Sequence, residues 1–342
     1  MFDLSNQQNQ REKVELLTKK PLKSELKKML EYLEIGDLVL ENGTLIRNVR
    51  IAYNVYGNIE SAEKIIWICH ALTANSDAET WWPEMIGKDE IFNTEKHAII
   101  CANVLGSCYG TTFESEVEKP LITVRDMVLA HQKLADFLKI SSIDFLLGGS
   151  LGGMQCLEWS IINPDFIKNL FVIATNCKHS SWGIAFNEAQ RMALELGEKG
   201  LDAARAIAML SYRNYKTYEY SQVDDINAAD DFSAASYQRY QGEKLRKRFT
   251  PNAYYSLSKS MDSNNVGRNR GSLEKALSKI TAKTLVIGID SDILFPVNEQ
   301  QYIAKNVENA VYEQIKSKYG HDGFLLETDK IKTLLKKYFD FL

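Results

Sequence analysis

Between Leu147 and Trp159 the chain reads LGGSLGGMQCLEW, which sets one hydroxyl, that of Ser150, among Gly148, Gly149, Gly152 and Gly153. The apolar run IDFLL stands before it and a helical pattern follows. Gly148-Gly149-Ser150-Leu151-Gly152 fits G-x-S-x-G, and between a strand and a helix that pattern marks a turn that lifts a nucleophilic serine above a sheet. The sharpness of such a turn predicts glycine on both flanks. The helix N-terminus behind the serine favours negative charge, and the Leu151 N–H is expected to face an oxyanion. The chemistry would be acyl transfer through a serine ester.

A serine hydroxyl needs a base. In enzymes built on this turn the order along the chain is serine, acid, histidine. His70, His97 and His131 precede Ser150, and His179 comes before any later strand. His321, in the glycine-flanked KSKYGHDGF after the last apolar run, is the expected base. For the acid, TLVIGIDSDILFP offers Asp290 at a strand end and Asp292 in the loop beyond. The acid must leave the sheet and reach sideways to the histidine, which selects Asp292. Asp290 is expected to cap the turn. The second oxyanion donor should come from the loop after the third strand, here CHALTANS after KIIWI, with the Leu72 N–H the candidate and His70 a residue that shapes the loop.

The elements that must hold these residues are legible as alternating patterns. LVLENGTLIRNVRIAYNVYG reads as two strands around an Asn42-Gly43 turn. Apolar runs follow at 64–70, 97–104, 143–149, 169–174, 284–290 and 310–315, with helical patterns such as 123–138 and 152–163 between them. Near-continuous apolar strands alternating with helices predict an α/β fold, a mostly parallel central sheet covered on both faces. From 178 to 270 no buried strand is visible. That tyrosine-rich segment predicts a helical insertion, a lid or a dimer surface, leaving 31–177 and 271–342 as the core domain. Residues 1–30 are polar and lysine-rich, and Leu16, Leu17, Leu22, Leu26, Met29, Leu30 and Leu33 suggest a weakly amphipathic helical appendage.

Composition narrows the partners. The 342 residues are 45% hydrophobic with a net charge of −4, which argues against nucleic acid. KLRKRF at 244–249 reads as a solvated helix face. Five cysteines without CxxC spacing read as reduced core thiols, and no metal site is expected. No signal peptide and no membrane-length apolar run is visible, so a cytoplasmic protein with no membrane partner is expected.

Taken together and in order, GGSLGGMQCLEW, CHALTANS, NVLGSCYGTT, TVRDMV, SDILFP and YGHDGFL resemble the homoserine O-acyltransferases, acyltransferases on the α/β-hydrolase fold. The resemblance runs from about residue 35 to the C-terminus. It implies ping-pong transfer of an acetyl group from acetyl-CoA, a co-substrate, through acyl-Ser150 to the hydroxyl of L-homoserine, within methionine biosynthesis and without a bound cofactor. It implies that Asp322 binds the homoserine ammonium and Arg213, in MLSYRNY, its carboxylate, and that the enzyme is a homodimer through the helical insertion. A succinyl donor, serine as acceptor, or an esterase on the same fold are the alternatives. One departure is FESEVEKP after YGTT, where the family pattern continues with glycine, proline and serines.

Overall fold

The computed structural model describes residues 30–339 apart from Glu198. The expected N-terminal appendage therefore lies outside the described residues but for its end. Its last leucine, Leu33, is not helical. It lies in strand β1, Glu31–Val39, where it pairs with Ile51 of β2, Leu45–Tyr56. A partner strand supplies backbone hydrogen bonds that an isolated amphipathic pattern cannot, so pairing overrides the helical spacing. The turn between β1 and β2 is the expected one. Gly43 takes φ +87°, a region glycine enters freely, and Asn42 Oδ1 accepts from Thr44 N–H at 3.0 Å.

The apolar runs become β3 (Lys64–Cys69), β4 (His97–Ala102), β5 (Phe145–Gly149), β6 (Asn169–Ile173), β7 (Lys283–Ile289) and β8 (Ala310–Ile315). Spatial order is β1-β2-β4-β3-β5-β6-β7-β8, with a short strand Thr112–Glu114 beside β2. β1 and β2 are antiparallel to their neighbours, and β3 to β8 run parallel. Alternate residues of the central strands feed two cores. Trp67, Ile100, Leu146 and Val286 face one side, where helices α1 (Val124–Phe137) and α2 (Leu151–Ile162) pack with Met127, Leu134, Met154 and Leu157. Ile66, Ile99, Leu147 and Ile287 face the other, against Trp82, Ile331 and Leu335. Both faces are thus apolar, which is why these strands read as unbroken hydrophobic runs.

Among the described residues six helices lie between β6 and β7: α3 (Ser181–Leu194), α4 (Gly200–Tyr212), α5 (Tyr215–Ser221), α6 (Ser233–Arg246), α7 (Pro251–Asp262) and a short one, Leu273–Leu277. They carry no strand of the sheet among the described residues. In the basic run Leu245 and Phe249 are buried while Lys244, Arg246 and Lys247 are exposed. Arg246 pairs with Asp202 at 2.8 Å, and Arg248, beyond the end of α6, donates to the Thr73 carbonyl and to the Tyr109 hydroxyl, so the run is not wholly a solvated helix face. Helix α8 (Val297–Asn306) then precedes β8, and α9 (Thr328–Tyr338) closes the chain. Among the described residues no helix is long and apolar enough to cross a membrane. Four cysteines are buried and Cys108 is half-buried.

An ion network staples the hairpin to the back of α2. Glu158 pairs with Arg125 at 2.7 Å and with Arg270 at 2.5 Å, and Glu41, at the start of the hairpin turn, pairs with Arg268 at 2.7 Å and with Arg125.

Candidate active site

Ser150 sits between β5 and α2, with φ +57° and ψ −128°. Backbone in this region is strained for a residue with a Cβ, by about 1–3 kcal/mol, and persists only where the surroundings over-determine it. They do so here. Ser150 N–H is shared between the Ile173 and Ala174 carbonyls at 3.1 and 3.2 Å. Its carbonyl accepts from Met154 N–H at 3.2 Å and from the Thr175 hydroxyl at 2.7 Å.

The glycines around the serine are needed for a different reason from the one the sequence suggests. None of Gly148, Gly149, Gly152 and Gly153 has positive φ; the serine itself carries the unusual conformation. What removes their side chains is close approach. A methyl on Gly152 would stand 2.0 Å from the carbonyl oxygen of Cys69, at the end of β3. The first turn of α2 is therefore pressed against the strand that leads into the CHALTANS loop. Gly152→Ala is expected to force that helix turn away from β3, at a cost on the order of 3 kcal/mol. A urea unfolding midpoint equal to that of the unaltered chain would contradict the contact.

Gln155, one turn into α2, is fully buried and bridges the two segments. Its Nε2 donates to the His70 carbonyl at 3.2 Å and to the Leu151 carbonyl at 3.1 Å. His70 acts as the sequence suggested, on the loop. Its Nδ1–H donates to the Ala71 carbonyl at 2.9 Å and its Nε2 accepts from Val104 N–H at 3.2 Å. Complete burial holds its pKa down to about 4, so the ring is the neutral tautomer that can do both. Because C=O and N–H point oppositely across a trans peptide, anchoring the Ala71 carbonyl turns the Leu72 N–H away from His70.

His321 and Asp292 come together as expected. Asp292 follows β7 and His321 lies in the turn after β8, and His321 Nδ1–H donates to Asp292 Oδ2 at 2.7 Å. The other carboxylate oxygen accepts from the Leu294 and Phe295 N–H groups at 2.8 and 2.9 Å. Three hydrogen bonds fix the acid, and the acid fixes the ring so that Nε2 is left without its proton. The imidazole is boxed by Phe295, Phe324 and Tyr212, at centroid distances of 5.1, 5.3 and 5.6 Å. Phe324 also packs on Gly149, the residue before the serine, where a methyl would stand 2.7 Å from its ring. Ser150 and His321 are both buried, at 5% and 3% exposure, so water is largely excluded.

Asp290 is not part of this group. Its Oδ1 accepts from Ser317 N–H at 2.9 Å, so it caps the loop after β8 rather than its own turn. The remaining histidines are structural. His131 is buried against Trp67 and Trp159, His97 is buried in β4, and His179 lies beside Asn187, its Nε2 3.2 Å from the amide nitrogen.

Asp322, next to His321, forms an ion pair with Arg213, the residue that ends α4, with Nε 2.8 Å from Oδ2. Both side chains are largely buried, at 15% and 14% exposure. The Nε–H is not aligned on an acceptor among the described residues, so the contact is charge pairing rather than a directed hydrogen bond. Glu299, on α8, accepts from the Asn176 amide at 3.0 Å. Burial, with a smaller push from the nearby Asp292 charge, raises its carboxyl to about 7. Among the described residues no cluster of three or more His, Cys, Asp or Glu side chains could hold a metal ion. The sequence had not singled out Thr175, nor given Gln155 a role. GGMQ in the motif was the available signal for Gln155, whereas Thr175 follows an ordinary strand and had none.

Comparison with known proteins identifies the family and the fold. Residues 64–328 match the family model described as alpha/beta hydrolase fold. A homoserine O-acetyltransferase of Cyclobacterium marinum is 41% identical over 324 residues, covering 88% of this chain and 92% of the relative. The crystal structure of a homoserine O-acetyltransferase from Staphylococcus aureus is 29% identical with a TM-score of 0.79, covering 91% of this chain and 95% of that one. An acetylester hydrolase from Corynebacterium glutamicum is similar in fold alone, with TM-score 0.80 at 22% identity, covering 91% of this chain and 96% of the hydrolase. From sequence and structure together, the chain belongs to the homoserine O-acetyltransferase family of the α/β-hydrolase fold.

Proposed function

We propose that this chain transfers the acetyl group of acetyl-CoA to the side-chain hydroxyl of L-homoserine by a ping-pong mechanism. Ser150 Oγ attacks the thioester carbonyl while His321 Nε2 takes its proton. The oxyanion rests on the Leu72 and Leu151 N–H groups, worth roughly 3–4 kcal/mol each in a water-excluded site. The C–S bond then breaks, and CoA leaves with the proton that His321 returns. Homoserine enters, its hydroxyl gives a proton to His321 Nε2, and its oxygen attacks the acetyl-Ser150 ester. The second tetrahedral intermediate collapses to O-acetylhomoserine, and Ser150 recovers the proton. Asp292 keeps the imidazole in the tautomer that both half-reactions need.

The observation that carries this reading is the buried Arg213–Asp322 pair, whose acid is the residue after His321. A neutral ester has no use for such a pair. A zwitterionic amino acid does, since its carboxylate suits the guanidinium and its ammonium suits the carboxylate. Pairing the two before substrate arrives compensates charges that would otherwise be buried alone. The homoserine hydroxyl would then lie within a side chain's reach of His321, whose position is fixed by the same turn.

Arg213→Ala is expected to raise the KM for homoserine by roughly 10–100-fold, the worth of a charged hydrogen-bonding contact. The burst of CoA release that reports acetylation of Ser150 should keep its rate. Stopped-flow measurement of the burst beside steady-state KM checks both halves, and an unchanged KM would remove Arg213 from the acceptor site.

The helices between β6 and β7 serve in this reading as a lid and a dimer surface. Tyr212 and Arg213 bring the end of α4 over the histidine. The same segment leaves Met192, Leu196, Leu210, Tyr215 and Ile226 exposed, apolar side chains that a partner surface would cover. A second copy of the chain is the proposed cover.

A further inference from the structure

We infer that the Thr175 hydroxyl is a positioning residue that aims one of the two oxyanion donors. The inference rests on the reading of Ser150 as nucleophile and of Leu151 N–H as its oxyanion partner. Leu151 N–H belongs to the peptide whose carbonyl is that of Ser150. In a trans peptide the two groups point in opposite directions, so whatever holds the carbonyl sets the direction of the N–H. Thr175 Oγ1 donates to that carbonyl at 2.7 Å, shorter than the 3.2 Å bond the same oxygen accepts from Met154 N–H within the helix. A carbonyl that accepts a hydrogen bond also polarises its own peptide, which strengthens the N–H as a donor.

The threonine is itself held from three sides. It lies two residues beyond the end of β6 and is fully buried. Its carbonyl accepts from Gln300 Nε2 at 2.6 Å. Its side chain lies against the Cα of Gly153, where an added methyl would stand 2.6 Å from the threonine Cβ. That contact explains the second glycine of LGG: the α2 backbone must come close enough for the hydroxyl to reach the Ser150 carbonyl. Its neighbour Ala174 is a second strained residue, at φ +48°, and with Ile173 it shares the Ser150 N–H. The end of β6 thus grips Ser150 at its N–H through Ile173 and Ala174 and at its carbonyl through Thr175. The carbonyl end alone controls the donor.

Thr175→Val removes the hydroxyl at nearly constant volume, and Thr175→Ser keeps it. In the full-length enzyme with acetyl-CoA and homoserine, Thr175→Val should lower kcat about tenfold to a hundredfold, since a misaimed donor costs less than the 10²–10³ of a deleted one. The KM for homoserine should stay within about twofold, because ground-state binding does not use the donor. Thr175→Ser should run within about threefold of the unaltered enzyme. An equal loss in both variants, accompanied by an equal fall in Tm, would overturn the inference in favour of mere packing. Full turnover by Thr175→Val while Ser150→Ala is inactive would overturn this inference and leave the mechanism standing. Turnover by Ser150→Ala would overturn both.

Discussion

Ser150→Ala is expected to reduce CoA release from acetyl-CoA by more than about 10⁴-fold, with or without homoserine. The size follows from the role. A triad that loses its nucleophile keeps only binding and oxyanion stabilisation, and those cannot break the thioester without an attacking oxygen. The fold should tolerate the change. The strain at φ +57° is a matter of Cβ and backbone, which serine and alanine share. The hydrogen bonds that impose it go to the backbone of residue 150, not to its hydroxyl. Unfolding midpoints should therefore agree within about 1 kcal/mol, the usual range for a substitution that makes no cavity. Stoichiometric acetylation seen by intact-protein mass spectrometry, in the unaltered chain and absent from the variant, checks the covalent step directly. Persistent turnover with the fold intact would remove Ser150 from the chemistry.

The second large effect is at Asp292. Asp292→Asn should lower kcat by about 10⁴-fold, through the tautomer rather than through geometry. Two backbone N–H groups, of Leu294 and Phe295, point at one carboxylate oxygen. In the asparagine variant the amide oxygen must stay on that side, which leaves the NH₂ facing His321 Nδ1. That nitrogen can then no longer donate and must accept. The proton moves to Nε2, the atom that has to receive the serine proton, and the base is lost. Asp290→Asn is the control. Its Oδ1 only accepts from Ser317 N–H, which an amide oxygen also does, so activity should change less than about threefold. Steady-state assays of the pair decide between them, and a larger loss at Asp290 would exchange their roles.

The sequence carried the sheet well because its parallel strands are apolar on both sides: KIIWIC, HAIICA and NLFVI are what burial on two faces requires. It singled out Ser150, Asp292 and His321, the last two of which hydrogen-bond at 2.7 Å, because chain order and loop position restrict each to one or two residues. It did not carry the reason for the glycines. A pattern of missing side chains records that space is short, but whether a turn or a neighbour takes the space depends on the Cys69 carbonyl and the Thr175 side chain, both remote in sequence. Nor could it carry Thr175 itself, a residue of ordinary type after an ordinary strand, or the mutual pairing of Arg213 with Asp322 across more than a hundred residues. At Leu33 local periodicity misled, because a single chain segment does not show that a partner strand waits at Ile51.

Transfer to an amino-acid acceptor is the central claim, since an esterase would use the same serine, acid and histidine on the same fold. The most direct test follows CoA release with a thiol reagent, supplying acetyl-CoA or succinyl-CoA with homoserine, with serine, or with no acceptor. One burst per active site without acceptor, and sustained release only with acetyl-CoA plus homoserine, is the expected result. Sustained release at the same rate whether or not an acceptor is present would mean that water takes the acetyl group, and would contradict the account.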